Sequence, residues 1–290
     1  MKITGFSFVR NAIKYDYPVV ESIKSILPLV DEFVIAVGNS EDGTREMVAK
    51  INPDKIRIID TVWDDSLRKN GRVLAVETDK ALKAVSPDTD WVFYLQADEV
   101  VHENDLATLK SDMEKHLHNK KIEGLLLKYN HFYGSYDYIA NSRRWYRNEI
   151  RVLKNLPGLH SFRDAQGFRI DDRIIRVVKT NARIFHYGWV KPPSNQQSKQ
   201  EYFHSLWHDD EWVKNNIKQK EEFDYSAIES LKRFGGTHPA VMQKRIADKN
   251  WEFNFDERKR KYSLKYKLLH LIEDITGYRI GEYKNYRVMK

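Results

Sequence analysis

The sequence predicts an α/β fold in which a mostly parallel sheet is flanked by helices and followed by a helical C-terminal extension. Three observations support this prediction. Strand and helix signals alternate through the N-terminal third of the chain, the strand signals end in polar or glycine-rich turns, and the region after Pro192 is charged and helical in character. Such alternation is typical of parallel strands joined by right-handed crossovers.

The individual elements follow from local patterns. Apolar runs that end in polar residues predict strands at 3–9, 33–37, 55–60 and 91–95. Asp16 is a predicted N-cap and Pro18 suits the first turn of the helix that follows. Apolar residues at helical spacing predict a short helix at 44–51 and a longer one that carries Leu74 to Val85. Further along, mixed alternation predicts strands at 122–132 and 176–187.

Composition restricts the class of protein. The chain has 290 residues, 41% of them hydrophobic, with 49 Lys and Arg against 42 Asp and Glu and a formal net charge of +7. This is the balance of a folded globular protein with a mild preference for anionic partners. The absence of cysteine excludes disulfides, thiolate metal sites and cysteine nucleophiles. Neither a signal peptide nor an apolar run of about 20 residues is recognisable, so a cytoplasmic protein is expected.

The prolines at 192 and 193 predict a division into domains at 1–192 and 193–290. Ligands of parallel sheets bind beyond the carboxyl ends of the strands. We therefore expect four loops, 10–11, 38–44, 63–72 and 96–99, to lie along one edge of the sheet.

Asp98 and Glu99 directly follow the apolar strand at 91–95. Carboxylates at this edge of a sheet can hold Mg²⁺ or Mn²⁺, which prefer oxygen ligands and bridge diphosphates. The same residues also suit the cap region of the next helix, so both interpretations stay open on spacing alone.

The order of motifs resembles the family 2 glycosyltransferases, which have the Rossmann-like GT-A fold. The resemblance covers about residues 1–200 and extends to bacterial members that build surface polysaccharide. The matching segments are Phe8-Val9-Arg10-Asn11, the turn 38–44, Gly71-Arg72 with Ala75, 95–99, and Phe185-His186-Tyr187-Gly188-Trp189 followed by Lys191 and Lys199.

The resemblance implies roles for these residues. Asp98 and His186 would bind Mn²⁺ or Mg²⁺, although a lone histidine in an apolar strand is also explained as a core residue. Asp164 would deprotonate the acceptor hydroxyl, with Glu99 and Glu149 as rival bases. The remaining residues would contact the nucleotide; they are Phe8, Asn11, Gly38, Asn39, Ser40, Asp42, Trp63, Arg72 and Gln96.

Two positions depart from the family pattern. Gly38 and Val37 stand where the family turn usually starts with two aspartates, so base recognition would fall to Trp63, Asp64 or Asp65. Gln96 replaces the first aspartate of the Asp-x-Asp motif. Asp98 would then be the sole carboxylate of the motif proper.

The implied activity is metal-dependent, inverting transfer of a sugar from a nucleotide-sugar donor to a glycan or lipid-linked acceptor. One alternative is a catalytically inactive protein of the same fold that binds nucleotide-sugar or glycan. A second is an RNA-binding protein that uses the arginine and aromatic cluster at 143–151; the glycosyltransferase interpretation expects no nucleic acid.

The C-terminal region contains a basic run at 258–261, then Leu264, Leu268, Leu271, Ile272 and Ile275 at helical spacing. A basic amphipathic helix can lie on an anionic membrane surface, at the inner face of the membrane for a cytoplasmic protein. The same stripe can instead dock on the core of its own protein.

Overall fold

The computed structural model describes residues 1–67, 69–217, 220–258 and 261–289. Arg68 of the predicted 63–72 loop, and Lys259 and Arg260 of the basic run, lie outside the described residues. The N-terminal elements alternate as the sequence predicts. They are β1 (Ile3–Val9), α1 (Val19–Ile26), β2 (Glu32–Gly38), α2 (Thr44–Ala49), β3 (Ile56–Thr61), α3 (Arg72–Lys83) and β4 (Trp91–Tyr94).

The remainder of the chain adds further elements. They are β5 (Glu99–Val101), α4 (Leu106–His116), β6 (Gly124–Tyr133), β7 (Ser135–Ala140), β8 (Asn148–Lys154), β9 (Leu159–Phe162), β10 (Gly167–Ile170), β11 (Arg173–Trp189), α5 (Pro193–Ser205), α6 (Asp210–Asn216), β12 (Leu231–Arg233), α7 (Gln243–Ala247), α8 (Leu264–Thr276) and β13 (Tyr286–Val288).

The sheet is mixed rather than mostly parallel, which corrects the prediction. Its order is β3-β2-β1-β4-β8-β6-β11-β10-β9. The first four strands are parallel, but β8 runs antiparallel to both β4 and β6. The physical reason lies in the connections after β6, which are too short for crossover helices and therefore reverse the chain.

The parallel half of the sheet is covered on both faces. Successive residues of β2 point to opposite sides, so Phe33 and Ile35 join one apolar cluster while Val34 joins the other. Ile23 of α1 packs in the first cluster and Leu82 of α3 packs in the second. This packing fixes the carboxyl ends of β1, β2 and β4 beside one another.

One predicted helix cap is wrong. Pro18, not Asp16, is the N-cap residue of α1, and no side chain caps that end. Asp16 has a φ of 49°, and its carboxylate accepts a hydrogen bond from Arg245 at 2.8 Å. The Asp16 carboxylate therefore forms a long-range ion pair with Arg245 instead of capping α1.

The C-terminal region is not purely helical. After α5, which begins at Pro193, β12 pairs with β7 and β13 pairs with β11. These pairings attach the region to the sheet. Among the described residues, no helix combines the length and the apolar character needed to cross a bilayer.

Candidate active site

A cavity of about 730 Å³ opens at the carboxyl end of β4. Its lining includes Gln96, Asp98, Asp164, His186 and Lys199, which come from distant parts of the chain. A smaller cleft of about 110 Å³ shares Gln96, Asp98 and Lys199 with this cavity and extends to Phe8 and Trp63. The structure thus brings six of the residues predicted for the site around two connected spaces, and adds Lys199.

Asp98 is buried and lies between two basic side chains. Its Oδ2 accepts a hydrogen bond from Nζ of Lys199 at 3.1 Å, and its Oδ1 lies 3.7 Å from Nε2 of His186. Burial by itself would raise the pKa of Asp98, but the Lys199 ammonium group holds that pKa well below its ordinary value. Asp98 is therefore an anion at neutral pH, and Lys199 balances its charge.

His131, which sequence reasoning missed, orients His186. The tautomers follow from the hydrogen-bond network. Nε2 of His131 lies 2.9 Å from the Tyr146 carbonyl oxygen, which only accepts, so this nitrogen carries the proton. Nδ1 of His131 then accepts from Nδ1 of His186 at 3.2 Å. Burial lowers the pKa of both imidazoles and favours their neutral forms. Neutral His186 consequently turns the lone pair of Nε2 toward Asp98.

This pair of acceptors fits a cation. Oδ1 of Asp98 and Nε2 of His186 are too far apart for a hydrogen bond, yet both can ligate one metal ion, with His131 fixing the imidazole. Within the described ranges, no group of three or more His, Cys, Asp or Glu side chains could hold a metal. A bound Mn²⁺ or Mg²⁺ would therefore draw its remaining ligands from water and a diphosphate, as Mg²⁺ commonly does.

The hydrogen bond between His131 and His186 gives a testable prediction. His131→Phe removes the acceptor that fixes His186, and we expect the affinity for Mn²⁺, measured calorimetrically with a nucleoside diphosphate present, to fall about 10–100-fold. His131→Asn, whose side-chain oxygen can take the place of Nδ1, should lose less. Equal Mn²⁺ affinity in the phenylalanine variant and the wild type would show that His131 is only a packing residue.

Glu99 does not face the cavity, which corrects its predicted role as a rival base. It is fully buried in β5, where Arg151 donates to both carboxylate oxygens at 2.7 and 2.8 Å. The Tyr129 hydroxyl donates to the same carboxylate at 2.7 Å, and the Gln96 backbone N–H donates at 3.1 Å. With its acceptor sites used inside the protein, Glu99 supports the end of β4 rather than reacting.

Asp164 lines the cavity on the turn between β9 and β10. Its neighbours Arg163 and Ala165 both have positive φ values, 58° and 63°, a conformation that non-glycine residues adopt at a cost. Burial raises the pKa of Asp164 above its ordinary value. A carboxylate with a raised pKa is a stronger base, which suits proton abstraction from a hydroxyl group.

Four of the residues predicted to contact the nucleotide form hydrogen bonds within and between the loops. The side-chain oxygen of Asn11 accepts from the Glu41 N–H, and the Asn11 N–H donates to Ser40. Asp42 accepts from the Thr44 N–H at the start of α2. Asn39 accepts from the Trp63 N–H at 3.3 Å and so connects two loops. Direct contact of these four polar side chains with a nucleotide remains a prediction.

The small cleft explains one departure from the family pattern. Phe8 and Trp63 face each other with ring centroids 5.9 Å apart, and the Arg10 guanidinium lies over the Trp63 ring. A Cβ on residue 38 would lie 2.4 Å from Nε1 of Trp63. Gly38 and Trp63 are therefore mutually dependent, because an aspartate at position 38 would displace the indole.

Arg72 lies at the first position of α3, and its side chain is exposed. It is not among the residues that line either of the two spaces. The predicted contact of Arg72 with base or diphosphate therefore stays a prediction.

The cluster at 143–151 is an ion-pair network rather than a free basic surface. Arg143 pairs with Glu273 at 2.6 Å, Arg147 pairs with Glu282 at 2.9 Å, and buried Arg151 is held by Glu99. Arginines that are already neutralised offer little attraction to phosphates. The structure therefore does not favour the RNA-binding alternative.

Glu149, the other rival base, lines a second cavity of about 410 Å³. Burial raises its pKa to about 7, against the opposing charge of Arg151. Between pH 4.5 and 7 the folded protein retains a proton that the unfolded chain releases, so this group costs stability as pH rises through that window.

Glu149→Gln should therefore flatten the pH dependence of unfolding. We expect the variant to gain up to about 3 kcal/mol over the wild type at pH 8, and much less at pH 4. Urea unfolding at both pH values measures the difference, with exposed Glu252→Gln as the control. A gain that is equal at both pH values would contradict the assignment.

No family model and no curated protein matches the chain. Among solved structures it is similar to TarS from Staphylococcus aureus, with 16% identity over 76% of this chain and 41% of that chain and a TM-score of 0.41. It thus spans about two fifths of the length of that protein; a structure of TarS residues 1–349 contains UDP-GlcNAc.

Two other solved structures are also similar. A 4-diphosphocytidyl-2C-methyl-D-erythritol synthase from Anaerococcus prevotii has 12% identity over 70% of this chain and 97% of that chain, with a TM-score of 0.40. The mannosyltransferase PcManGT from Pyrobaculum calidifontis, with GDP-Man and Mn²⁺, has 19% identity over 43% of this chain and 34% of that chain, with a TM-score of 0.32.

Proposed function

We propose that this protein transfers a sugar from a nucleotide-sugar donor to a hydroxyl group of a glycan or lipid-linked acceptor. One observation carries the proposal: the aromatic cleft of Phe8 and Trp63 lies next to, and shares Asp98 with, a cavity that also contains Asp164. A nucleoside, a diphosphate and an acceptor hydroxyl each have a suitable partner in these connected spaces.

The diphosphate is assigned to the region of Asp98, His186 and Lys199. Mn²⁺ or Mg²⁺, when held there by Asp98 and His186, supplies positive charge that stabilises a departing diphosphate. Lys199 adds a buried ammonium group beside the same carboxylate. Because this ammonium group already balances Asp98, the net positive charge that a diphosphate would meet there is that of the metal ion when bound.

The acceptor hydroxyl is assigned to Asp164. Its carboxylate takes the hydroxyl proton while the hydroxyl oxygen bonds to the anomeric carbon and the nucleoside diphosphate leaves with the bonding electrons. Because one displacement occurs opposite the leaving group, the configuration at the anomeric carbon inverts. The inverting outcome and a role in surface polysaccharide synthesis are inferred from the family resemblance. A cytoplasmic location is part of the same proposal.

A second candidate is a protein that binds the donor without transferring it. Gln96 favours this candidate, because an amide contributes no charge at a position where the family has an aspartate. The transferase should hydrolyse its donor slowly with Mn²⁺ even when the acceptor is absent, whereas the binding protein should not.

A thermal-shift screen tests the shared premise. UDP, GDP, CDP and ADP, each with Mn²⁺ or with EDTA, should include one that stabilises the protein by about 2.7 kcal/mol at 100 times its dissociation constant. Exposed Asp54→Asn serves as a control that keeps this response. Absence of any response to all four nucleotides, in either condition, would overturn the proposed function.

A further inference from the structure

Helix α8 presents an apolar stripe to solvent. Leu264, Leu268, Leu271 and Ile275 follow at intervals of four, three and four residues, which places them on one face of the helix. Their exposed fractions are 84%, 59%, 55% and 75%. The helix therefore does not dock this stripe on the core of its own protein, which removes the ordinary explanation for the pattern.

The opposite face of α8 is fixed to the protein. Glu273 accepts hydrogen bonds from Arg143 and Arg279, and Arg147 lies 3.3 Å from the same carboxylate. Tyr262, just before the helix, stacks on His270 with ring centroids 4.5 Å apart. The outward direction of the apolar stripe is thus set by ion pairs and stacking on the inner face.

Positive charge flanks the stripe. Lys265 and Lys267 are both exposed and stand on either side of Leu264 and Leu268 around the helix axis, while Asp274 is the exposed acidic residue of α8. Tyr278 and Tyr283, which follow the helix, are also exposed. Leucines bordered by lysines, with tyrosines beside them, match the layers of an anionic bilayer surface.

The surface lies close to the candidate active site. The second cavity lies between α8 and the 143–149 segment, where it touches Lys265 and Tyr266. It shares Tyr146 and Gln166 with the cavity that contains Asp98. The exposed helix and the site at which an acceptor would react therefore border neighbouring cavities.

We propose that α8 binds the surface of a membrane that contains anionic lipids, with its leucine stripe among the acyl chains and its lysines at the headgroups. With α8 on the membrane, a lipid-linked acceptor could approach the active site through the second cavity; this part of the proposal rests on the proposed function. Two copies that paired through this stripe would bring their lysines together, which like-charge repulsion opposes.

Vesicle co-sedimentation of the whole chain tests the proposal. We expect strong binding to vesicles of phosphatidylcholine with phosphatidylglycerol and weak binding to phosphatidylcholine alone. Lys265→Gln/Lys267→Gln should weaken binding to the anionic vesicles about 30-fold, because each lysine near such a surface contributes about fivefold. Leu268→Glu/Leu271→Glu should abolish binding, whereas the controls Val62→Glu and Lys110→Gln should bind like the wild type.

Thermal unfolding of each variant confirms that loss of binding is not loss of folding. Equal binding of the α8 variants and the wild type, or no binding to anionic vesicles, would overturn the proposal. If anionic vesicles fail to bind and analytical ultracentrifugation shows a dimer that Leu268→Glu dissociates, the stripe is a dimer interface and the proposal is overturned. The assay needs neither nucleotide nor metal, so its failure and that of the proposed function are distinguishable.

Discussion

Replacing Asp98 with asparagine is expected to abolish the Mn²⁺-dependent response to nucleoside diphosphates and to destabilise the fold. The buried ammonium group of Lys199 would lose its anionic partner, and breaking a buried ion pair in this way typically costs about 3–5 kcal/mol. Calorimetric titration measures the first effect and urea unfolding measures the second. Undiminished metal-dependent binding by the variant would contradict the assignment of Asp98.

A double variant separates binding from folding. Asp98→Asn/Lys199→Met removes both charges, so most of the stability should return. The metal response should not return, because the carboxylate is still absent. If the double variant regained the response to Mn²⁺, the metal would have to be held by other groups.

Asp164→Asn is expected to lower the rate of sugar transfer about 10²–10⁴-fold, which is the usual contribution of a general base. Binding of the nucleoside diphosphate should be unchanged, because Asp164 is assigned to the acceptor. Asp172→Asn, at an exposed position before β11, is the matched control. A loss of nucleotide affinity as large as the loss of rate would instead place Asp164 in the donor site.

The pH profile gives an independent check of the same residue. The base acts when deprotonated, so the rate should fall as pH falls through the pKa of Asp164. Because burial raises that pKa, the fall should begin at higher pH than for an exposed aspartate. In the asparagine variant this acidic limb should disappear.

The sequence could predict the elements that are determined by local patterns of apolar and polar residues. The strands of the parallel half and the turns that follow them are visible as apolar runs and polar ends, so β1 has the predicted bounds. The mixed half of the sheet was not predictable in this way, because antiparallel pairing depends on which distant strands meet. Motif order therefore predicted a candidate site near Asp98 but could not describe the sheet around it.

The chemical state of the site depends on long-range partners. Arg151 forms an ion pair with Glu99, 52 residues away in the sequence, and Lys199 forms one with Asp98, 101 residues away. No local signal marks His131 as the neighbour of His186, or Gly38 as the position that admits the Trp63 indole. Such partners decide whether an acidic residue is held inside the protein, as Glu99 is, or faces the cavity, as Asp164 does.

The ion pair between Asp98 and Lys199 affects the order in which a metal ion and a nucleotide-sugar donor would bind. Since the ammonium group already balances the carboxylate, a free divalent ion meets little net attraction there. A nucleoside diphosphate brings the missing negative charge. Metal and donor should therefore bind synergistically, with the donor entering as its preformed chelate and neither component saturating the protein efficiently alone.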